Sequence, residues 1–135
     1  MARRKQYAAL PWRLEDGAPR VLLVTSRDTG RWVLPKGWPM KKRPPHDAAQ
    51  VEAFEEAGAI GRAEKRPVGA FVYRKRLKDG STALCTVSVF PMPVERLEAD
   101  WPEAHERRRA WFAPEEAAGL VAEPDLADLL RRFAA

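Results

Sequence analysis

Cysteine is nearly absent. Cys85 is the one thiol in 135 residues, so no disulfide can form within the chain. That usage fits a reducing compartment, and the cytoplasm is the expected location. Cys85 lies in an apolar, strand-like pattern, where packing is expected rather than nucleophilic work. Long apolar runs are missing too. Nothing approaches the ~20 residues of a membrane-spanning helix. The N-terminal stretch MARRKQYAALPW is charged but has no signal-like apolar core, so neither export nor membrane insertion is expected. Internal repeats, low-complexity tracts and linkers are also lacking, and the length suits one domain over residues 1–135. No zinc-ligand spacing, helix-turn-helix or RNA-binding aromatic motif is present. Nucleic acid is therefore supported by charge alone: the formal net charge is +5 and the pI about 9.7. Such a balance favours anionic partners, and a phosphorylated small molecule is the expected one.

What is present is a patterned globular sequence, 45% hydrophobic and 32% charged. Lys5 to Leu14 reads as a first strand, with Pro11 marking an edge or a bulge. Glu15-Asp16-Gly17 is a hairpin-type turn. Arg20 to Ser26 is the strongest strand, a continuous apolar run of the buried kind. A short strand follows from Arg31 to Leu34 and ends at Pro35. Arg66 to Leu77 and Ser81 to Val94 form a hairpin across Asp79-Gly80. Arg96 to Arg107 is a polar excursion, and Arg108 to Phe112 a last short strand. A small helix opens at Pro114, and Asp125 to Phe133 is an amphipathic helix with Leu126, Leu129 and Leu130 inward. The order predicts an α/β fold: a central mixed sheet with helices on both faces.

The chemistry is concentrated between Trp32 and Ile60. A proline-rich basic loop follows Gly37, and a helix runs from about Pro45 to a stop at Gly58. It carries Glu52, Glu55 and Glu56 at spacing i, i+3 and i+4, on one face spanning about 100°. These like charges repel by a few tenths of a kcal/mol per pair. Glu55 and Glu56 also sit at the negative end of the helix dipole, and the helix carries no Lys or Arg to relieve them. A hard divalent cation would remove the conflict, and Mg²⁺ or Mn²⁺ suits carboxylate oxygens. The plainer alternative is a solvated acidic stripe.

The stretch from Gly37 to Ile60 resembles the Nudix box of Nudix hydrolases, G-x5-E-x7-R-E-U-x-E-E-x-G-U, where U is bulky and aliphatic. Gly37, Glu52, Glu55, Glu56 and Gly58 match in register. Arg43 stands where the pattern has its first glutamate, and Val51 where it has arginine. Ala53 and Ala59 are smaller than the usual aliphatic residues. Outside the box, WVLPKG before it and Asp100-Trp101 with Arg107 to Phe112 after it are similar to the diphosphoinositol-polyphosphate and dinucleoside-polyphosphate branch.

The resemblance implies a Nudix-type α/β/α sandwich and metal-assisted attack of water on a diphosphate linkage. It implies Mg²⁺ or Mn²⁺ held by Glu55 and Glu56, with Gly37 as a further ligand through its carbonyl and Glu52 as ligand or general base. A carboxylate from outside the helix is also implied, with Glu103 and Glu106 as candidates. Arg27, Arg31 and Lys36 are expected to hold phosphates of a polyphosphorylated small-molecule substrate, with Arg74, Lys75, Arg76 and Lys78 as further cations from the hairpin. Trp38 and Trp101 could stack on a base or pack against the sheet. A monomer or a homodimer is expected. The substitutions at Arg43 and Val51 leave a second reading, a Nudix-fold binding module that senses a nucleotide or a partner with weak or no turnover.

Overall fold

In the computed structural model, which describes residues 2–133, the sheet begins with β1 (Ala2–Glu15), β2 (Ala18–Thr25), β3 (Trp32–Val33) and β4 (Lys36–Gly37). Helix α1 (Pro45–Ala57) follows, then β5 (Ala59–Gly61), β6 (Gly69–Arg76), β7 (Thr82–Leu97) and β8 (Arg109–Phe112). Helices α2 (Pro114–Leu120) and α3 (Pro124–Arg132) close the described chain. No helix is long and apolar enough to cross a membrane among these residues.

The sheet is mixed, as the sequence predicts. β1 runs parallel to β7 from Ala2↔Ala83 to Trp12↔Pro93. The other pairings are antiparallel: β1 with β2 and β4, β2 with β3 and β8, and β7 with β5 and β6. The outer edge of β1 is thus divided. Tyr7 and Ala8 pair with β4, whereas Trp12 to Glu15 pair with β2. Ala9 N–H donates outward to the Pro35 carbonyl (3.0 Å). Two residues on, the same edge falls to Pro11, which has no N–H, in the gap between the two partners. Pro11 is therefore accommodated inside the sheet, neither on an edge strand nor at a bulge.

Alternation along β1 and β2 sends successive side chains to opposite faces. Ala8, Leu10, Val21 and Leu23 face α2 and α3, in a core with Phe71, Cys85, Val87, Val89, Leu126 and Leu130. Ala9, Leu22 and Val24 face α1, packing with Ala49, Ala53, Ala57, Phe90 and Met92. The result is the α/β/α layering expected from the order of elements. Alanines line the buried side of α1, so the helix lies close to the sheet and its flanking acids are brought over the strand ends.

Both ends of α1 follow local rules in part. Pro44 is extended (φ −65°, ψ 161°) and gives no side-chain cap, the weakness expected of proline there. Gly58 adopts φ 65° and returns its N–H to Phe54 O at 2.9 Å, the left-handed stop that glycine permits. β4 and β5 are too short to carry a sequence period, and neither was expected; β5 exists because the chain leaving Gly58 pairs at once with the far end of β7.

Candidate functional site

A cavity of about 280 Å³ opens where β1 exchanges β2 for β4. Four acids line it: Glu52 and Glu56 from α1, Glu103 from the loop before β8, and Asp28. Arg27, Lys36, Lys75 and Arg107 share the lining with them, as do Gln6, Tyr73 and Trp38. Tyr73 O–H donates to Gln6 Oε1 at 2.5 Å, and Lys36 Nζ lies 5.0 Å from the centre of the Tyr73 ring. Trp38 is 38% exposed, with Arg4 and Lys75 each 5.9 Å from its ring.

The sequence-predicted residues divide at this cavity. Glu52, Glu56, Gly37, Lys36 and Arg27 line it. Glu55 does not: its backbone carbonyl accepts Glu103 N–H at 3.1 Å, and its side chain is half-buried beside the loop. Arg31 is exposed and bonds locally to Thr29 Oγ1 at 3.2 Å, away from the lining. Of the two outside acids, Glu103 faces the cavity, whereas Glu106 lies outside its lining and pairs with Arg27 at 3.6 Å. Lys75 alone of the four hairpin cations reaches the lining.

The crowded end of α1 is relieved by side chains far away in sequence. Trp101 Nε1–H donates to Glu56 O (2.9 Å) and Arg109 Nη1–H to Ala57 O (2.8 Å). Arg109 also stacks on Trp101, with 3.9 Å from its central carbon to the ring centre. These donors satisfy carbonyls that the helix end leaves open and place positive charge at its negative pole. Trp101 therefore packs and caps. Arg107, its side chain only 8% exposed, joins Glu56 (3.5 Å), Glu103 (2.7 Å) and Thr25 O (3.0 Å).

Burial raises the Glu56 carboxyl, against the opposing pull of Arg107 and Lys36. Burial and then the charges of Glu56, Glu103 and Glu55 push Glu52 up to about 7. Burial lowers the Lys36 amine, although Glu56 pulls the other way. The Lys36 N–H also donates to Glu56 Oε1 at 3.3 Å.

These groups fit a hard divalent cation. Burial and then neighbouring negative charge disfavour the ionised form of Glu52, and a cation would offset the part due to charge. Gly37 has no Cβ, and one built there would collide with the Glu52 carboxyl, so backbone and acid meet where a side chain would keep them apart. Among the described residues no three His, Cys, Asp or Glu side chains form a ready-made ligand group. Mg²⁺ does not require one, since it keeps several waters and takes one or two carboxylates. Glu52 and Glu56, with the Gly37 carbonyl, are the residues that would hold it.

The family model described as NUDIX domain matches residues 4–133. The chain belongs to the Nudix family. Nudix hydrolase 12, mitochondrial, of Arabidopsis thaliana is 33% identical over 103 residues, 74% of this chain and 51% of that protein. Diphosphoinositol polyphosphate phosphohydrolase 3-alpha of Mus musculus is 32% identical over 116 residues, 84% of this chain and 66% of that protein. The chain thus spans from half to two thirds of the length of these relatives. The crystal structure of C. elegans Ap4A hydrolase superposes with a TM-score of 0.69, covering 98% of this chain and 96% of that one; at 19% identity this is a likeness of fold.

In this Nudix domain Arg43 and Val51, the two charged positions at which it departs from the box, lie together outside the cavity. Arg43 and Val51 line a separate groove with Asp47, Gln50 and Phe54, and Arg43 pairs with Asp47 at 2.9 Å. Sequence reasoning passed over Gln6, Asp28, Tyr73 and Arg107. The run Arg107-Arg108-Arg109 was visible, but nothing local says which arginine turns inward. Gln6 offered a faint signal, a polar residue that ends up 3% exposed beneath the strand pattern.

Proposed function

We propose that this Nudix domain is a Mg²⁺- or Mn²⁺-dependent hydrolase of a diphosphate linkage. Its substrate class is a nucleoside polyphosphate, dinucleoside polyphosphate or diphosphoinositol polyphosphate. The observation that carries this reading is the mixed lining of the cavity: Glu56, buried, and Glu52, half-buried, share it with Lys36, Lys75 and Arg27, and burial raises both carboxyl pKa values. A solvated acidic stripe would show neither burial nor a cavity shared with cations. The similarity to a diphosphoinositol polyphosphate phosphohydrolase supports the substrate class.

A cation held by Glu52, Glu56 and the Gly37 carbonyl would supply neutralisation of phosphate charge and a more acidic water. Lys36, Lys75 and Arg27 hold the phosphate chain in the cavity. Glu52, whose carboxylate has a second oxygen when the first holds the cation, accepts the proton of the attacking water. The water oxygen bonds to phosphorus, the bridging P–O bond breaks, and the leaving phosphate takes the electron pair. Glu55 stays outside the cavity and acts through its charge on Glu52. Cys85 is buried in the core, which suits the cytoplasm or another reducing compartment.

The test is product release from a panel of nucleoside, dinucleoside and inositol polyphosphates with Mg²⁺ or Mn²⁺. Release that EDTA abolishes is expected. No metal-dependent release across the panel, with ligands raising the melting temperature yet yielding no product, would replace this reading with the binding module.

A further inference from the structure

Arg107 links three segments that are distant in sequence. It stands in the loop before β8. Nε reaches Glu103 (2.7 Å), Nη2 reaches Glu56 on α1 (3.5 Å), and Nη1 donates to the Thr25 carbonyl at the end of β2 (3.0 Å). All three guanidinium nitrogens are therefore engaged, and the side chain is 8% exposed. A group so committed is poorly placed to greet an incoming phosphate. α1 has no base of its own to hold Glu56, and Val51 lies in the groove outside the cavity. The loop itself is already pinned to the helix through Glu103 N–H to Glu55 O and Trp101 to Glu56 O.

We propose that Arg107 is a positioning residue, which fixes the Glu56 and Glu103 carboxylates in one mutual orientation and does from the loop before β8 what no residue of α1 can do. The planar guanidinium fork is what permits three partners at once; a lysine ammonium would keep the charge but not the geometry. This inference rests on the hydrolase reading.

The experiment compares wild type with Arg107→Lys, Arg107→Met and Arg109→Lys. Arg109 caps the helix without touching the acids, so its variant serves as the structural control. Mn²⁺ alone is titrated calorimetrically into each protein, melting temperatures are recorded, and kcat and KM are measured on the polyphosphate that wild type cleaves fastest. In Arg107→Lys, Mn²⁺ affinity and kcat should each fall about 10- to 100-fold, the size seen when groups that orient metal ligands are lost. KM should stay within about threefold, a change of ~0.7 kcal/mol. Arg109→Lys should lower the melting temperature by about as much while leaving Mn²⁺ affinity and kcat within about twofold.

Wild-type Mn²⁺ affinity and kcat in Arg107→Lys would overturn the proposal. So would losses that follow melting temperature alike in both variants, tighter Mn²⁺ binding, or a rise in KM alone, which would make Arg107 a substrate ligand. Should Arg107→Met fail to fold, Arg107→Lys decides. If wild type takes up no Mn²⁺ and turns nothing over, the hydrolase reading falls and takes this one with it. If wild type does both and Arg107→Lys matches it, this inference alone falls.

Discussion

Helices α1 and α3 pack on opposite faces of one sheet and obey different rules. α3 buries Leu126, Ala127, Leu129 and Leu130, has Asp125 in its first turn and ends in Arg131 and Arg132. Each choice favours the helix locally. α1 buries small alanines together with a charged residue, Glu56, and has no base in its last turn. Its deficit is made good by tertiary structure: Trp101 and Arg109 take its terminal carbonyls and Arg107 takes Glu56. α3 can be understood from its own residues. α1 can be understood only with the loop before β8 in place, and that dependence coincides with the cavity. A conflict left within a helix and resolved from outside it is a local sign that accords with the proposed site.

The contrast is most sharply tested by substituting each helix's central residue. Glu56→Gln should reduce turnover about 10³-fold, the loss expected when a charged group supporting the transition state is removed. Its unfolding free energy should shift by no more than ~1 kcal/mol, because the substitution also removes a buried carboxyl that resists ionising. Leu130 is fully buried, and Leu130→Ala should do the reverse. Urea unfolding should show a loss of ~2–5 kcal/mol, while turnover per folded molecule stays at the wild-type level. If Leu130→Ala lowered kcat in the folded protein as Glu56→Gln does, the division of labour between the helices would be wrong.

A smaller effect is expected from pH. The folded-state pKa of Glu52 is about 7 against an ordinary 4.5. A carboxyl raised in this way binds its proton more tightly when folded. Its stabilising contribution is therefore complete below about pH 4.5 and is lost as pH climbs through about 7. Discounted for the part of the group that solvent screens, the loss is ~1–2 kcal/mol. Melting of the metal-free protein should thus fall from pH 5 to pH 8, and Glu52→Gln should reduce that slope, leaving the part due to the raised Glu56. Added Mg²⁺ should flatten it as well, since the ion binds the ionised acid and stabilises the fold at the upper end.

The same contrast explains what was legible in the sequence. The strand run of β2, the hairpin at Asp79-Gly80 and the leucine stripe of α3 are local patterns, and all three formed. The acids of α1 were legible as a conflict, since spacing and the helix dipole are also local properties. What relieves the conflict was not, because Trp101, Arg107 and Arg109 arrive from about fifty residues downstream. The spacing pointed to a cation as a remedy; in the fold, three side chains also take part in it. Glu55 illustrates the limit of face arguments. It shares a face with Glu52 and Glu56 by spacing, yet they line the cavity and it does not.

The smallest effect is expected where the sequence departs most visibly from the family pattern. Arg43→Glu with Val51→Arg rewrites the box to match, but both positions lie in the groove beside Asp47 and Phe54. An arginine at position 51 would meet Glu55 one turn on, at i+4, and Glu55 does not line the cavity. Exchanging Arg43 for glutamate breaks an exposed pair with Asp47 worth ~0.2–1 kcal/mol and puts two acids four residues apart. Turnover should therefore stay within about threefold of wild type, ~0.7 kcal/mol on the barrier, with Arg107 still holding Glu56. A large gain in kcat from the double substitution would mean that the helix lacks something Arg107 does not supply. α1 would then be an impaired active-site helix, and the binding-module reading would gain what the hydrolase reading lost.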